Sequence, residues 1–186
     1  MDTSPIPSLP IASEAGRSLL LAAHHSTQRM MEQRAPLSEI LSVLASAGEA
    51  FSEGRTVCSV LLLDQEGLLR NGASPNLPAD YLHAIDRLKP DPAVGTCAAA
   101  AATGEPVMTP NFYNDDRWSE LRHWPLVLGF FGAWSMPIKA ADGRVLGTFG
   151  TYFREHRLPT DDERTAVGFL AGIASSAIVA ASTAQT

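Results

Sequence analysis

Apolar and polar positions alternate from Gly132 to Glu155, in GAWSMPIKAADGRVLGTFGTYFRE. Trp134, Met136 and Ile138 fall on one side of the first arm, with Ala133, Ser135 and Pro137 on the other. Val145, Gly147, Phe149, Thr151 and Phe153 share one side of the second arm. Period-two alternation around Asp142-Gly143 predicts a hairpin closed by a tight turn. A hairpin this apolar requires a covering layer, and the flanking segments supply helices.

Upstream, Leu19, Leu20, Ala23, Met30 and Met31 fit a helix over about 13–33. Pro36 opens a second helix at a first-turn position, with Leu37, Ile40, Leu41, Leu44, Ala47 and Phe51 in one stripe and Gly54 as its stop. Thr56–Leu63 is apolar on both faces and predicts a central strand. Leu68–Ala73 predicts a second strand and Ala79–Arg87 a short helix. The Ala-rich run Cys97–Thr103, stopped by Gly104, predicts another helix. Pro106–Thr109 predicts a brief strand, and Arg117–Gly129 a helix interrupted by Pro125. Thr160 and Glu163 form a capping box for a last helix that turns Val167, Leu170, Ile173, Ala174, Ala177 and Ile178 inward. Antiparallel strands with helices before, between and after predict an α+β fold, a helix-covered sheet one face of which can carry a small-molecule pocket.

Composition narrows the function classes. With 186 residues, 45% of them hydrophobic, the chain can bury one good core, so one domain over 13–186 is expected. Residues 1–12, with Pro5, Pro7 and Pro10, read as a flexible lead. A net charge of −6 with scattered Lys and Arg argues against nucleic acid as a partner. No uncharged apolar run reaches the roughly 18 residues of a membrane span, and the acidic, Pro-rich start lacks a basic leader. Cys58 and Cys97 lie far apart in apolar surroundings, so a reducing cytoplasm is the expected location. None of the five histidines has zinc-type spacing with cysteine, and neither a metal nor a cofactor is expected.

Four stretches carry a resemblance to a known family: CSVLLLDQEGLLRNGASPNLP (58–78), VGTCAAAAATGEPV (94–107), NDDRWSELRHWPLVLGFFGAWSMPI (114–138) and DGRVLGTFGTYFREHRLPTDDE (142–163). In order and spacing they resemble the GAF domains attached to bacterial sensor kinases and cyclic-dinucleotide enzymes, with a core over about 37–181. The resemblance implies an antiparallel sheet backed by helices, a pocket on the opposite face, and terminal helices that mediate dimers and pass on a signal. Such a fold has many uses, so the ligand must be argued from the site.

The pocket walls implied by the resemblance are Asp91–Thr103 and Asn111–Phe131. Val94, Gly95, Thr96 and Cys97 open a helix whose backbone N–H groups suit an anion or a carbonyl oxygen. Tyr113, Trp118, Trp124 and Trp134 offer aromatic walls, with Phe131 a further lining candidate, and Arg122 and His123 are the nearest cationic or titratable groups. Each has a plainer reading: Trp134 as core, Arg122 as an ion-pair partner of Asp115, Asp116 or Glu120. Relatives commonly read His-Gly-Leu-Arg-Ala-Cys-Trp-Ser before Trp134; here Leu128 and Phe131 replace the His and the Arg. That favours an uncharged or aromatic effector, with a small anion still open. VGTCAAAAATG also resembles the cysteine stretch of free methionine-R-sulfoxide reductases, but Asp116–His123, where they carry a further cysteine, has none. The Asn-Lys pair of cyclic-nucleotide binders and the Asp-Ile-Pro of bilin carriers are absent.

The expectation is a non-enzymatic GAF sensor that binds a small molecule and signals through its terminal helices, as a homodimer, to a sensor kinase or other signalling protein. A dimerisation module without ligand and a Cys97-dependent reductase are the alternatives.

Overall fold

The computed structural model describes residues 9–183. Most of the expected lead, residues 1–8, lies outside them. The remainder is packed: Ile11 is buried and Leu9 lies against the helix-side core.

The chain opens with two helices, α1 (Glu14–Glu32) and α2 (Leu37–Phe51). Ser13 caps α1 by accepting from the Gly16 N–H at 3.1 Å. The stripe read from α2 faces inward, with Ile40, Leu41, Leu44 and Ala47 buried. Next come β1 (Thr56–Leu63), β2 (Leu69–Ala73), α3 (Ala79–Ala84), α4 (Cys97–Thr103) and β3 (Val107–Thr109). A short α5 (His123–Val127), the hairpin β4 (Gly132–Lys139) and β5 (Val145–Phe153), and the long α6 (Asp161–Thr183) complete the order.

The five strands form one antiparallel sheet ordered β2-β1-β5-β4-β3. The fold is α+β, as read from the sequence. The helices α1, α2 and α6 cover one face, over a core that includes Leu41, Leu44, Trp134, Phe149, Phe153 and Leu170. The opposite face is roofed by α3, α4 and the segment around α5, over Val57, Leu61, Phe112, Trp118, Phe130 and Tyr152.

Two expectations need correction. Arg117–Gly129 is not one helix. A 3₁₀ turn at Asp116–Trp118 comes first, then α5, with Pro125 inside the first turn of α5, where a missing N–H costs little. Asp115 drives the break: its carboxylate accepts from the Arg117 backbone N–H and side chain and from Thr109. Val145 does not share a side with Phe149. The hairpin register shifts at Ile138/Lys139, which puts Leu146 on the helix side and Val145 on the roof side. The loop closes with Gly143 N–H on the Ala140 carbonyl and with Gly143 at φ +86°, a conformation that suits glycine.

Helix α6 starts as the capping box predicts: Glu163 N–H donates to Thr160 Oγ1 at 3.1 Å, and Thr160 N–H donates to Glu163 at 2.8 Å. By length and composition it is the one helix among the described residues apolar enough to cross a membrane. Here its inward face packs Val167, Leu170, Ile173, Ala174, Ala177 and Ile178 against the sheet and α2.

Candidate functional site

The roofed face of the sheet holds a cavity of about 20 Å³. Val94, Gly95, Thr96, Cys97 and Trp118, all read from the sequence as site residues, line it. Leu61, Tyr81, Ile85, Leu88, Leu121 and Tyr152 also line it and were not read from the sequence. Room on this scale holds about one water molecule.

Tyr81 comes from α3 in the roof and Tyr152 from β5 in the floor. Their hydroxyls meet at 2.7 Å, with the rings edge-on at 5.8 Å. Both residues are buried, and burial pushes both phenols well above their ordinary pKa, so both are neutral.

At the other end, Ser135 donates to Thr96 Oγ1 at 3.0 Å, which leaves its oxygen to accept from the Cys97 thiol at 3.0 Å. Burial pushes the Cys97 thiol up, against the opposing pull of the Ser135 hydrogen bond. Ser59 Oγ is buried on the same floor without a partner. A Cβ on Gly150 would come within 2.9 Å of Ser59 Oγ and 3.1 Å of Cys97 Sγ, so these groups crowd one spot on the sheet.

The anion reading of the α4 start does not hold at its first two groups. Val94 N–H donates to the Asp91 carbonyl at 3.2 Å and Gly95 N–H to the Arg117 carbonyl at 2.7 Å. Trp118 is fixed as a wall: its indole N–H donates to Thr109 Oγ1 at 3.1 Å, and its ring lies 4.3 Å from that of Phe112.

The other expected site residues lie elsewhere. Trp134 is buried on the helix-covered face, because its strand parity points it away from the roof. Phe131 packs on His156 at 5.4 Å. His123 is exposed and stacks on Trp124. Tyr113 is 60% exposed, and Arg122 donates to its carbonyl at 3.4 Å. Asp115 is taken by Arg117 at 2.6 Å, so it does not pair with Arg122.

Tyr152 was legible in outline. It lies on the side of β5 opposite Phe149, Thr151 and Phe153, and the structure shows that side to be the roofed one. Tyr81 carried no such signal, since α3 is too short for a stripe.

The cysteines do not meet. Cys58 belongs to the helix-side core and Cys97 to the roof-side core, with the sheet between them. Cys58 is buried and its pKa is pushed up to about 12. The two buried thiols lie on opposite faces of the sheet, out of disulfide reach of one another. Among the described residues, no three His, Cys, Asp or Glu side chains are grouped to hold a metal ion.

Residues 34–179 match the GAF domain family, and the chain belongs to it. A curated relative is the methyl sulfide methyltransferase-associated sensor of Methanosarcina acetivorans, 34% identical over 167 residues. That alignment covers 88% of this chain and 16% of the relative, so the chain spans about a sixth of that protein's length. The fold is also similar to a domain described as that of a two-component sensor histidine kinase from Sinorhizobium meliloti, with TM-score 0.59 and 21% identity over 80% of this chain and 92% of that one. The free methionine-R-sulfoxide reductase of Neisseria meningitidis superposes with TM-score 0.70 at 16% identity, over 96% of this chain and 99% of that one.

Proposed function

We propose that this GAF domain is a non-enzymatic, cytoplasmic sensor module. It takes a small molecule between the sheet and the roof of α3 and α4. It reports the change through α1, α2 and α6, as a homodimer, to a signalling partner such as a histidine kinase. The observation that carries this reading is the roofed cavity, apolar with a few placed polar groups, on the face that the terminal helices leave free. A relative that is itself a sensor supports it. Binding would then shift the population between two packings of the helix layer.

At about 20 Å³ the cavity is far smaller than an organic effector, so binding requires the roof to lift. The same small volume favours a second reading, a helical dimerisation scaffold whose pocket is filled by its own side chains. Native mass spectrometry of freshly purified protein, followed by a thermal-shift screen of nitrate, nucleotides and small aromatic molecules, separates the two. A retained or stabilising molecule supports the sensor. An intact dimer with no retained molecule and no shift supports the scaffold. Turnover of free methionine sulfoxide that disappears in Cys97→Ser would overturn the non-enzymatic reading.

A further inference from the structure

We propose that α3 is a hinged flap, latched shut by the Tyr81–Tyr152 hydroxyl pair, and that it opens for an uncharged molecule with an apolar body and one hydrogen-bonding group. This deepens the sensor reading and rests on it.

The flap has two fixed ends. Ser74 donates to Asn71 Oδ1 at 2.7 Å where β2 ends. Beyond α3, Leu69 N–H donates to the Leu88 carbonyl and Arg87 N–H to the Leu69 carbonyl, both at 2.9 Å. Arg87 lies at φ +62°, so the chain reverses sharply at this anchor. The span between the anchors is one six-residue helix and its flanking turns, too little backbone to be rigid by itself. Leu77, Tyr81 and Ile85 bury it apolarly, and the Tyr81 hydroxyl makes the hydrogen bond from the flap to the cavity floor.

The lining sets the ligand's chemistry. None of the cavity residues is Asp, Glu, Lys, Arg or His. A charged ligand would enter without a counter-ion and would lose its hydration uncompensated. An apolar body matches Leu61, Ile85, Leu88 and Leu121. A hydroxyl-type group can take Tyr81's place on Tyr152, so that the buried phenol is never left unpaired. The latch is then exchanged for the ligand, which couples occupancy to the position of the flap.

Phenol and benzoate are the probes, close in size and differing in charge. Chemical-shift titration of the whole chain should show phenol moving the amides of Val94–Cys97 and Tyr152, with benzoate leaving them in place. Tyr81→Phe keeps the packing and removes the latch. It should tighten phenol binding by about fivefold, the scale of one net hydrogen bond. It should also speed hydrogen exchange at 75–86 relative to α2 and α6. Tyr152→Phe should speed the same exchange without tightening phenol, because the floor partner is lost as well. Unchanged exchange at 75–86 in both variants overturns the latch, whatever binds. Equal shifts with benzoate, or none with phenol even in Tyr81→Phe, overturn the ligand class. Failure of the sensor reading shows separately, as the absence of any retained or stabilising molecule while flap exchange still responds to Tyr81→Phe.

Discussion

Glu49 shows what a single buried side chain does for this fold. It lies in α2 at 9% exposure, and its carboxylate accepts from the Cys58 N–H at 2.9 Å and from the Asn76 side chain. Cys58 lies in β1 beyond the end of the β2 ladder, so its N–H has no strand partner on that side. Glu49→Ala leaves this donor buried and unpaired and should cost about 1–3 kcal/mol in urea unfolding, with Glu49→Gln recovering much of the loss. The sequence concealed this role, because an acid on a helix reads as a solvated face. Trp134 was open to two readings, core or ligand wall, and the structure takes the first. Its parity within β4 is plain, but parity alone does not say which face carries the helices.

At the scale of elements, helix ends were the most legible feature. The Thr160/Glu163 box and the Gly104 stop of α4 at φ +68° follow from local chemistry and needed no tertiary context. The stretch 111–131 was not legible, because its shape comes from the Asp115, Arg117 and Thr109 contacts and not from periodicity. The start of α6 carries a pH dependence. Burial opposes ionisation of Glu163, but the Arg157 guanidinium, at 2.7 and 2.8 Å, and the Thr160 N–H outweigh it and hold the carboxyl below its ordinary value of 4.5. A depressed carboxyl stabilises the fold above its unfolded pKa and loses that contribution as pH falls through the folded value. The melting temperature should therefore fall as pH drops below about 4.5, and Glu163→Gln should flatten that fall. Arg157 also lies 4.1 Å over the Phe153 ring, which ties this corner to β5.

For the whole molecule, the sheet is shared by two cores of different character. The helix-side core is built from long stripes, and the α+β architecture followed from them. The roof-side core is assembled from short pieces whose positions only the tertiary structure fixes. That is why five of the ten expected site residues gather at the cavity and the others lie away from it. Because every strand between the edges serves both cores, global unfolding should be a single transition. Trp118 reports the roof and Trp134 the helix layer. In Trp118→Phe and in Trp134→Phe, the fluorescence and far-ultraviolet circular dichroism midpoints should coincide within each protein. A separate early transition seen only by Trp118 would show that the roof melts alone.

The two rims of the sheet have a consequence for behaviour at high concentration. The β3 rim is only three residues long, and Arg117 folds over it to reach the Met108 carbonyl at 3.2 Å. The β2 rim spans five residues and is partly occupied by the Leu69–Leu88 bridge. Neither offers more than a few residues of open backbone on which a foreign strand could grow. Crowded solutions of this protein should resist fibre formation, and self-association should proceed by side-chain packing instead of by extending the pleat.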